Sequence, residues 1–298
     1  MRKKVIIYLI AAVVLLAAGM SLGKIITPVP VNTAGKDVIG VIEVNGVISG
    51  DTATNLLGGV TGASSQQIMK NIRIAAERDD IKAVVLRINS PGGTTAASQE
   101  ISIELDRLRE TGKPIITSMG DSCASGGYWI ACSTNHLVAN AGTLTGSIGV
   151  IMELTNLEGL YEKIGVDSII FKSGEFKDMG SSARPVTAAE EKLFDEMIAD
   201  NYQQFLVQVL NGRQGKISEE QLKEIADGRV LTGKQAVELG LADSLGNYYD
   251  AIKIAEEMAG LPAGANVELI GTQSVLDRLM LQAKAPSIIE TRELLQMK

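Results

Sequence analysis

Three short segments of this sequence combine hydroxyls with small residues in a way that chemistry could use. They are Asn89-Ser-Pro-Gly-Gly93, Asp121-Ser-Cys-Ala-Ser-Gly-Gly127 and Thr143-Leu-Thr-Gly-Ser-Ile-Gly149. In the third, Gly146 and Gly149 permit a tight turn and close approach of another backbone. Ser147 between them is either a turn residue bonding its own main chain or a nucleophile presented at the end of an element. In the second, Ser125 opens an apparent helix and His136 follows eleven residues later, the raw material of a serine–histidine–acid system. His136 heads an apparent strand, however, and a lone histidine there is more often structural. In the first, Pro91 fixes φ and the two glycines free the next amides to point at a ligand. That turn is either plain or an oxyanion site in which the Gly93 N–H receives the charge of a tetrahedral intermediate. Ser147 has no neighbouring histidine. Its base would be a lysine whose pKa burial depresses from ~10.4 toward ~7–8, a shift costing about 4 kcal/mol.

The elements that must position these segments alternate. Val38–Val44 reads as a strand, followed by the Asn45-Gly46 turn signal. Residues 50–65 are Gly-, Ser- and Thr-rich and read as a loop. Ile68, Met69, Ile72, Ala75 and Ala76 recur at helical spacing, and 83–88 is an apolar run suited to a strand covered on both faces. A helix through Ile101, Leu105 and Leu108, a strand at 115–119, a helix at 124–131 and a strand at 136–139 follow. The pattern continues with a helix at 157–163 and a strand at 167–171. This is the order of an α/β domain with a mainly parallel sheet, whose sites form at the carboxyl ends of strands.

After Pro185 the capping box Thr187-Ala-Ala-Glu190 starts a long helix over 187–212, with an apolar stripe from Leu193 to Leu210. Further helices are expected at 218–226, 234–239 and 248–259, with a turn at 227–233 and a last strand at 266–270. The chain from 275 to 298 reads as a short helix and a tail.

The whole chain has 298 residues, 45% hydrophobic and 21% charged, a globular composition. Val5–Gly23 is nineteen residues without a charge, preceded by Arg2-Lys3-Lys4 and closed by Lys24. That length suits a bilayer-spanning helix, and the basic tip places the N-terminus in the cytoplasm and the bulk outside. A cleaved signal peptide is the rival reading, but the run is longer than the usual apolar core of one. The expected organisation is therefore an anchor at 1–27, a tether at 28–37, a catalytic domain at 38–274 and a tail at 275–298. Setting aside the anchor removes four of the 28 basic residues and none of the 35 acidic ones, leaving a formal net charge of −11. Such a balance argues against nucleic acid as a partner. No metal-ligand cluster or cofactor motif is seen, and Cys123 and Cys132 read as buried free thiols.

The segments Ser-Pro-Gly-Gly (90–93), Ala-Ser-Gly-Gly-Tyr-Trp-Ile-Ala (124–131), Thr-Gly-Ser-Ile-Gly-Val (145–150) and Asp-Gly-Arg-Val-Leu-Thr-Gly (227–233), in that order, resemble the signal peptide peptidase A family. The closer likeness is to its short Gram-positive form with one N-terminal anchor. The resemblance implies a Clp-protease/crotonase-type spiral of β-β-α units and a membrane-anchored serine endopeptidase that degrades cleaved signal peptides. It implies Ser147 as nucleophile, Gly93 and Ser147 as oxyanion donors, and a lysine as general base. The base slot of the short members is assigned to the long helix, where this chain has Ala199. Longer members carry the lysine in a Gly-x-x-Lys stretch, matching Gly174–Lys177 here, and Lys192 is a third candidate. On the first correspondence the chain lacks its base and is expected to be nearly inert.

The resemblance also implies a ring, an octamer, with the lysine supplied across the subunit interface. Signal peptides and other extended apolar peptides are the expected partners, and the chain's own C-terminal tail is a candidate pseudo-substrate. A non-catalytic, crotonase-like membrane scaffold that binds apolar peptides, and a Ser125–His136 protease, remain as alternatives.

Overall fold

The computed structural model describes residues 37–51, 53–54 and 60–271. The anchor expected at 1–27, the tether as far as residue 36 and the pseudo-substrate tail lie outside them. Among the described residues, no helix is long and apolar enough to cross a membrane.

The protein is a mixed α/β structure around one central sheet. Strand β1 (Val38–Asn45) is flanked by β12 (Asn266–Leu269) and β6 (Ile81–Ser90), and β6 pairs with β7 (Ile115–Ala124), all parallel. Strand β7 then forks. Its first half pairs with β8 (His136–Ala139), and its second half pairs with β9 (Leu144–Gly146). The antiparallel β10 (Val230–Thr232) closes the edge beyond β9, and β11 (Ser244–Leu245) lies beside β8. The fork requires a ten-residue strand. Sequence reading ends β7 at Met119, but Gly120–Ala124 stay extended because β9 continues the ladder there. Likewise, the turn expected at 227–233 contains β10, recruited by the free edge of β9.

Both faces of the sheet are covered, which explains the continuous burial of Ala83–Leu86 in β6. One face carries α8 (Tyr248–Ala259), whose Ala251, Ile252 and Ala255 pack with Ile39, Val41, Ala83 and Val85. The larger core lies on the other face, under α1 (Ser65–Glu77), α2 (Thr95–Glu110) and the short α3 (Gly126–Ala131). The 50–65 loop is partly ordered as two small ladders. Strand β2 (Ile48–Ser49) pairs with β5 (Ala63–Ser64), and β3 (Ala53–Thr54) pairs with β4 (Val60–Thr61).

Beyond β9 the chain leaves the body as an arm. No residue between 151 and 189 is buried. The arm holds α4 (Glu158–Ile164) and a 3-10 turn, Glu175–Asp178. The strand expected at 167–171 does not form. Its residues find no partner strand in this chain, and Ile169 and Phe171 remain 77% and 95% exposed. The long helix α5 (Ala188–Gly212) has its capping box at Thr187 and Glu190, as expected. Only its second half packs, through Phe205, Leu206 and Val209, so the stripe at Leu193, Phe194 and Met197 is not used by the chain's own core. Helices α6 (Glu219–Ile225) and α7 (Gly233–Glu238) complete the chain between α5 and β11.

The end of α5 is locked to the sheet by a buried ion pair. Arg213, 1% exposed, donates from Nη1 and Nη2 to Asp243 at 2.9 and 2.8 Å and from Nε to the Gly240 carbonyl. Asp243 also accepts the Leu137 N–H and the Lys216 ammonium. Burial opposes ionisation of Asp243, but the Arg213 and Lys216 bonds outweigh it and hold the carboxyl well below its usual range. Its contribution is therefore present above about pH 4 and is lost progressively as pH falls below that. Asp243→Asn leaves the Arg213 guanidinium buried without a counter-charge and is expected to cost about 3–5 kcal/mol at neutral pH. The check is the urea midpoint of the two proteins at pH 7 and at pH 3, where the difference should shrink.

Candidate active site

The three hydroxyl- and glycine-bearing segments meet at one end of the sheet, where β6, β7 and β9 finish. They line a cleft of about 690 Å³ together with Val47, Thr94, Trp129, Ile151, Phe205 and Asp227. Because Ala124 pairs with Gly146, the residues that follow them, Ser125 and Ser147, are neighbours on the cleft wall. The Ser125 N–H donates to the Gly146 carbonyl at 2.9 Å.

These two serines are the only non-glycine residues with positive φ among those described, but their settings differ. Ser125 sits at the strand-to-helix junction of β7 and α3 with φ 51° and ψ −122°. That is strained backbone for an L-residue, of the kind that holds a nucleophile on a sharp turn above a sheet. It occupies the N-cap of α3, yet its hydroxyl makes no capping bond. Gly126, next in the chain, is the first helical residue, so its N–H has no partner within the helix. The Gly93 N nitrogen lies 3.1 Å from the place a Cβ would take on Gly126. Gly93 bridges β2 in parallel fashion through its neighbours: Ile48 donates to the Gly92 carbonyl and Thr94 donates to the Ile48 carbonyl. This turns the Gly93 amide away from β2, and no acceptor for it is found among the described residues. Two backbone donors therefore flank the Ser125 side chain.

Glycine is required at both positions of this turn. A Cβ on Gly93 would overlap the Ile48 carbonyl oxygen, and one on Gly92, at φ 111°, would lie 2.7 Å from Ser125 Cβ.

Ser147 has φ 49° but precedes no helix. Its N–H donates to the Arg229 carbonyl at 2.8 Å in the β9–β10 edge. That amide is bonded to Arg229, whereas the Gly93 N–H, the other oxyanion donor expected from sequence, has no acceptor among the described residues. Ala199 is exposed on the unpacked half of α5 and is not part of the cleft, which α5 reaches only at Phe205. Lys192 is exposed on the same stretch, 4.0 Å from Glu196. Lys177 is exposed in the 3-10 turn of the arm and also does not line the cleft of its own chain.

His136 pairs in register with Ile116, nine residues before Ser125 along β7, or roughly 30 Å at strand rise. Burial lowers its pKa, and its Nε2 is 3.0 Å from Ser244 Oγ. The Ser125–His136 pairing is thus excluded by topology. Cys123 and Cys132 are free and fully buried, as expected. Burial pushes the Cys132 thiol up to about 12 and Cys123 further, so neither is a nucleophile.

A strained serine with an unused hydroxyl, flanked by two free amides, is a hydrolase arrangement. Residues 107–262, just over half of the chain, match peptidase family S49. This chain belongs to peptidase family S49. It is 41% identical to the slr0021 protease of Synechocystis over 232 residues, 78% of each protein. It is 37% identical to the chloroplastic serine protease SPPA of Arabidopsis thaliana, over 80% of this chain and 35% of that one. A protein named signal peptide peptidase SppA from Enterococcus faecium is 37% identical over 71% of this chain and 60% of its own length. The 1510-N membrane-bound stomatin-specific protease, solved with a substrate peptide, aligns over 84% of this chain at TM-score 0.47 and 18% identity. The S49 chain described here is accordingly a serine peptidase.

Sequence reading gathered the segments that meet here, and both of its candidate serines, Ser125 and Ser147, line the cleft.

Proposed function

We propose that this S49 peptidase is a membrane-anchored endopeptidase that cleaves extended apolar peptides, signal peptides among them, with Ser125 as nucleophile and Lys177 of a second copy as general base. The observation that carries this reading is the pair of amides without acceptors next to Ser125, those of Gly93 and Gly126; positive φ it shares with Ser147. Ser125 Oγ attacks the scissile carbonyl and its proton passes to the lysine amine. The carbonyl oxygen becomes an oxyanion held by the two N–H groups, each donor of this kind being worth ~10²–10³ in rate. Collapse of the intermediate expels the amine, which takes the proton from the lysine. Water, deprotonated by the same amine, then releases the acyl group from Ser125.

The cleft favours this class of substrate. Val47, Trp129, Ile151 and Phe205 give it apolar walls, and segment 149–151 lacks regular pairing, leaving main chain against which a strand could be laid. The fold this implies is the β-β-α spiral of the resemblance. The base reading rests on the match of Gly174–Lys177 to the Gly-x-x-Lys stretch and on the arm that carries it. Ile164, Val166, Ile169 and Phe171 project unburied from a segment that the chain's own core does not hold, as expected of a surface covered by a neighbour in a ring. Position 199 is likewise exposed and outside the cleft of its own chain, so a lysine there would also have to act on a second copy.

Incubating the full-length protein with a synthetic signal peptide and a serine-reactive fluorophosphonate tests the proposal. Cleavage within the apolar segment, blocked by the probe attached to Ser125, is expected. A probe that labels no serine while the peptide still binds would favour the scaffold alternative.

A further inference from the structure

Among the described residues, Asp227 is the one charged side chain that lines the cleft. It stands in the turn between α6 and β10. The turn leaves the body at the buried Ala226, whose carbonyl accepts the Tyr202 hydroxyl of α5 at 2.6 Å. The Asp227 carboxylate closes it. Oδ1 accepts the Arg229 N–H at 3.1 Å and Arg229 Nε at 2.8 Å, and Oδ2 accepts Arg229 Nη2 at 2.6 Å. The Arg229 bonds hold the Asp227 carboxyl down to about 2, so the pair is charged at neutral pH. Both side chains are half exposed, and an ion pair in that setting contributes little to stability. What a guanidinium fork on a carboxylate does provide is a fixed direction as well as a fixed distance.

The main chain of this turn supports the wall that carries the serines. Ser147 donates its N–H to the Arg229 carbonyl at 2.8 Å, and Gly228 donates to the Ile148 carbonyl at 3.0 Å. These bonds extend the β9–β10 pairing, in which Val230 faces Gly146, past the ends of both strands. The approach is close: a Cβ on Gly149 would lie 3.1 Å from Gly228 Cα. Gly146, on the same strip, accepts the Ser125 N–H at 2.9 Å. Both serines are thus tied to a strip whose edge away from β7 is held by residues 228–230. Arg229 itself does not line the cleft. We infer that Arg229 is a positioning residue for catalysis: clasped by Asp227, it fixes the turn 227–229 and, through its own carbonyl, the place at which the cleft presents its serines. The inference rests on the cleft as the peptidase site, on neither serine in particular and on no choice of base. Misplacing a reacting group by about 1 Å costs up to ~10²-fold in rate.

The test uses the full-length protein and a peptide substrate. Arg229→Ala is expected to lower kcat by roughly 10- to 100-fold with KM changed less than about threefold, because the side chain removed does not reach the cleft. Adding Arg229→Ala to Asp227→Ala should slow the reaction no further, since the clasp is already open. Asp227→Asn keeps an oxygen for the Arg229 N–H and is expected to recover most of the kcat lost in Asp227→Ala. The inference is overturned if Arg229→Ala leaves kcat intact or acts on KM alone, if the two alanine losses multiply, or if Asp227→Asn is as slow as Asp227→Ala. Should Arg229→Ala fail to fold, Arg229→Lys keeps the charge without the fork and must show the same kcat-selective loss. Hydrolysis that survives both Ser125→Ala and Ser147→Ala would remove the cleft itself from catalysis, and the inference with it. Hydrolysis lost in one of those variants, with kcat intact in Arg229→Ala, overturns the inference alone.

Discussion

Ser125→Ala is expected to reduce peptide hydrolysis by on the order of 10⁴–10⁶-fold, the scale of removing a nucleophile from a serine peptidase. Ser147→Ala, after the neighbouring strand on the same cleft wall, should change kcat by less than about tenfold, because a single neutral contact is worth about 1 kcal/mol. The contrast follows from the backbone. Ser125 has both donors of an oxyanion site at hand, Gly93 and Gly126, and a hydroxyl that caps nothing. The amides of both serines are bonded, Ser125 to Gly146 and Ser147 to Arg229, but only Ser125 is followed by the first residue of a helix. Neither substitution changes volume by more than one oxygen, and the strained main chain at Ser125 is imposed by its neighbours, so the variant should fold. Circular dichroism and steady-state kinetics on the two purified variants decide the matter. A dead Ser147→Ala with an active Ser125→Ala would mean that the Ser125 strain is purely structural.

The second large effect is at the base. Lys177→Ala should cost about 10²–10⁴-fold, the usual worth of positioned proton transfer. Its distinctive consequence is complementation. Lys177 is in the arm and outside the cleft of its own chain. A site made of Ser125 from one copy and Lys177 from the next can therefore be rebuilt from two inactive variants. Co-assembling equal amounts of Ser125→Ala and Lys177→Ala chains should recover about a quarter of full activity, since one junction in four joins an intact serine to an intact lysine across a head-to-tail interface. A base acting within its own chain would give no recovery.

The alternation of strand and helix, the capping boxes at Thr187 and Ser218, and the two buried thiols were all legible in the residues. Each is a local matter, decided by side-chain periodicity, by a hydroxyl three residues from a carboxamide or carboxylate, or by apolar neighbours. The gathering of segments 89–93, 121–127 and 143–149 was also legible, because parallel strands place their carboxyl ends together. The strand at 167–171 was misread for a physical reason. Val166 and Ile169–Phe171 have the side chains of a strand, but a strand exists only where another edge donates and accepts, and this chain offers none there.

The sequence by itself determined an α/β serine hydrolase with glycine turns at its strand ends. Only the tertiary structure decided how each serine is held, because that depends on φ and on which amides remain unpaired. Both quantities are set by partners far away in the chain: Ile48 for Gly93, Gly146 for Ser125 and Arg229 for Ser147. Ser125 and Ser147 look equivalent when read as letters beside glycines. They became distinct once the β9–β10 edge consumed the amide of one and the start of α3 freed the amide after the other.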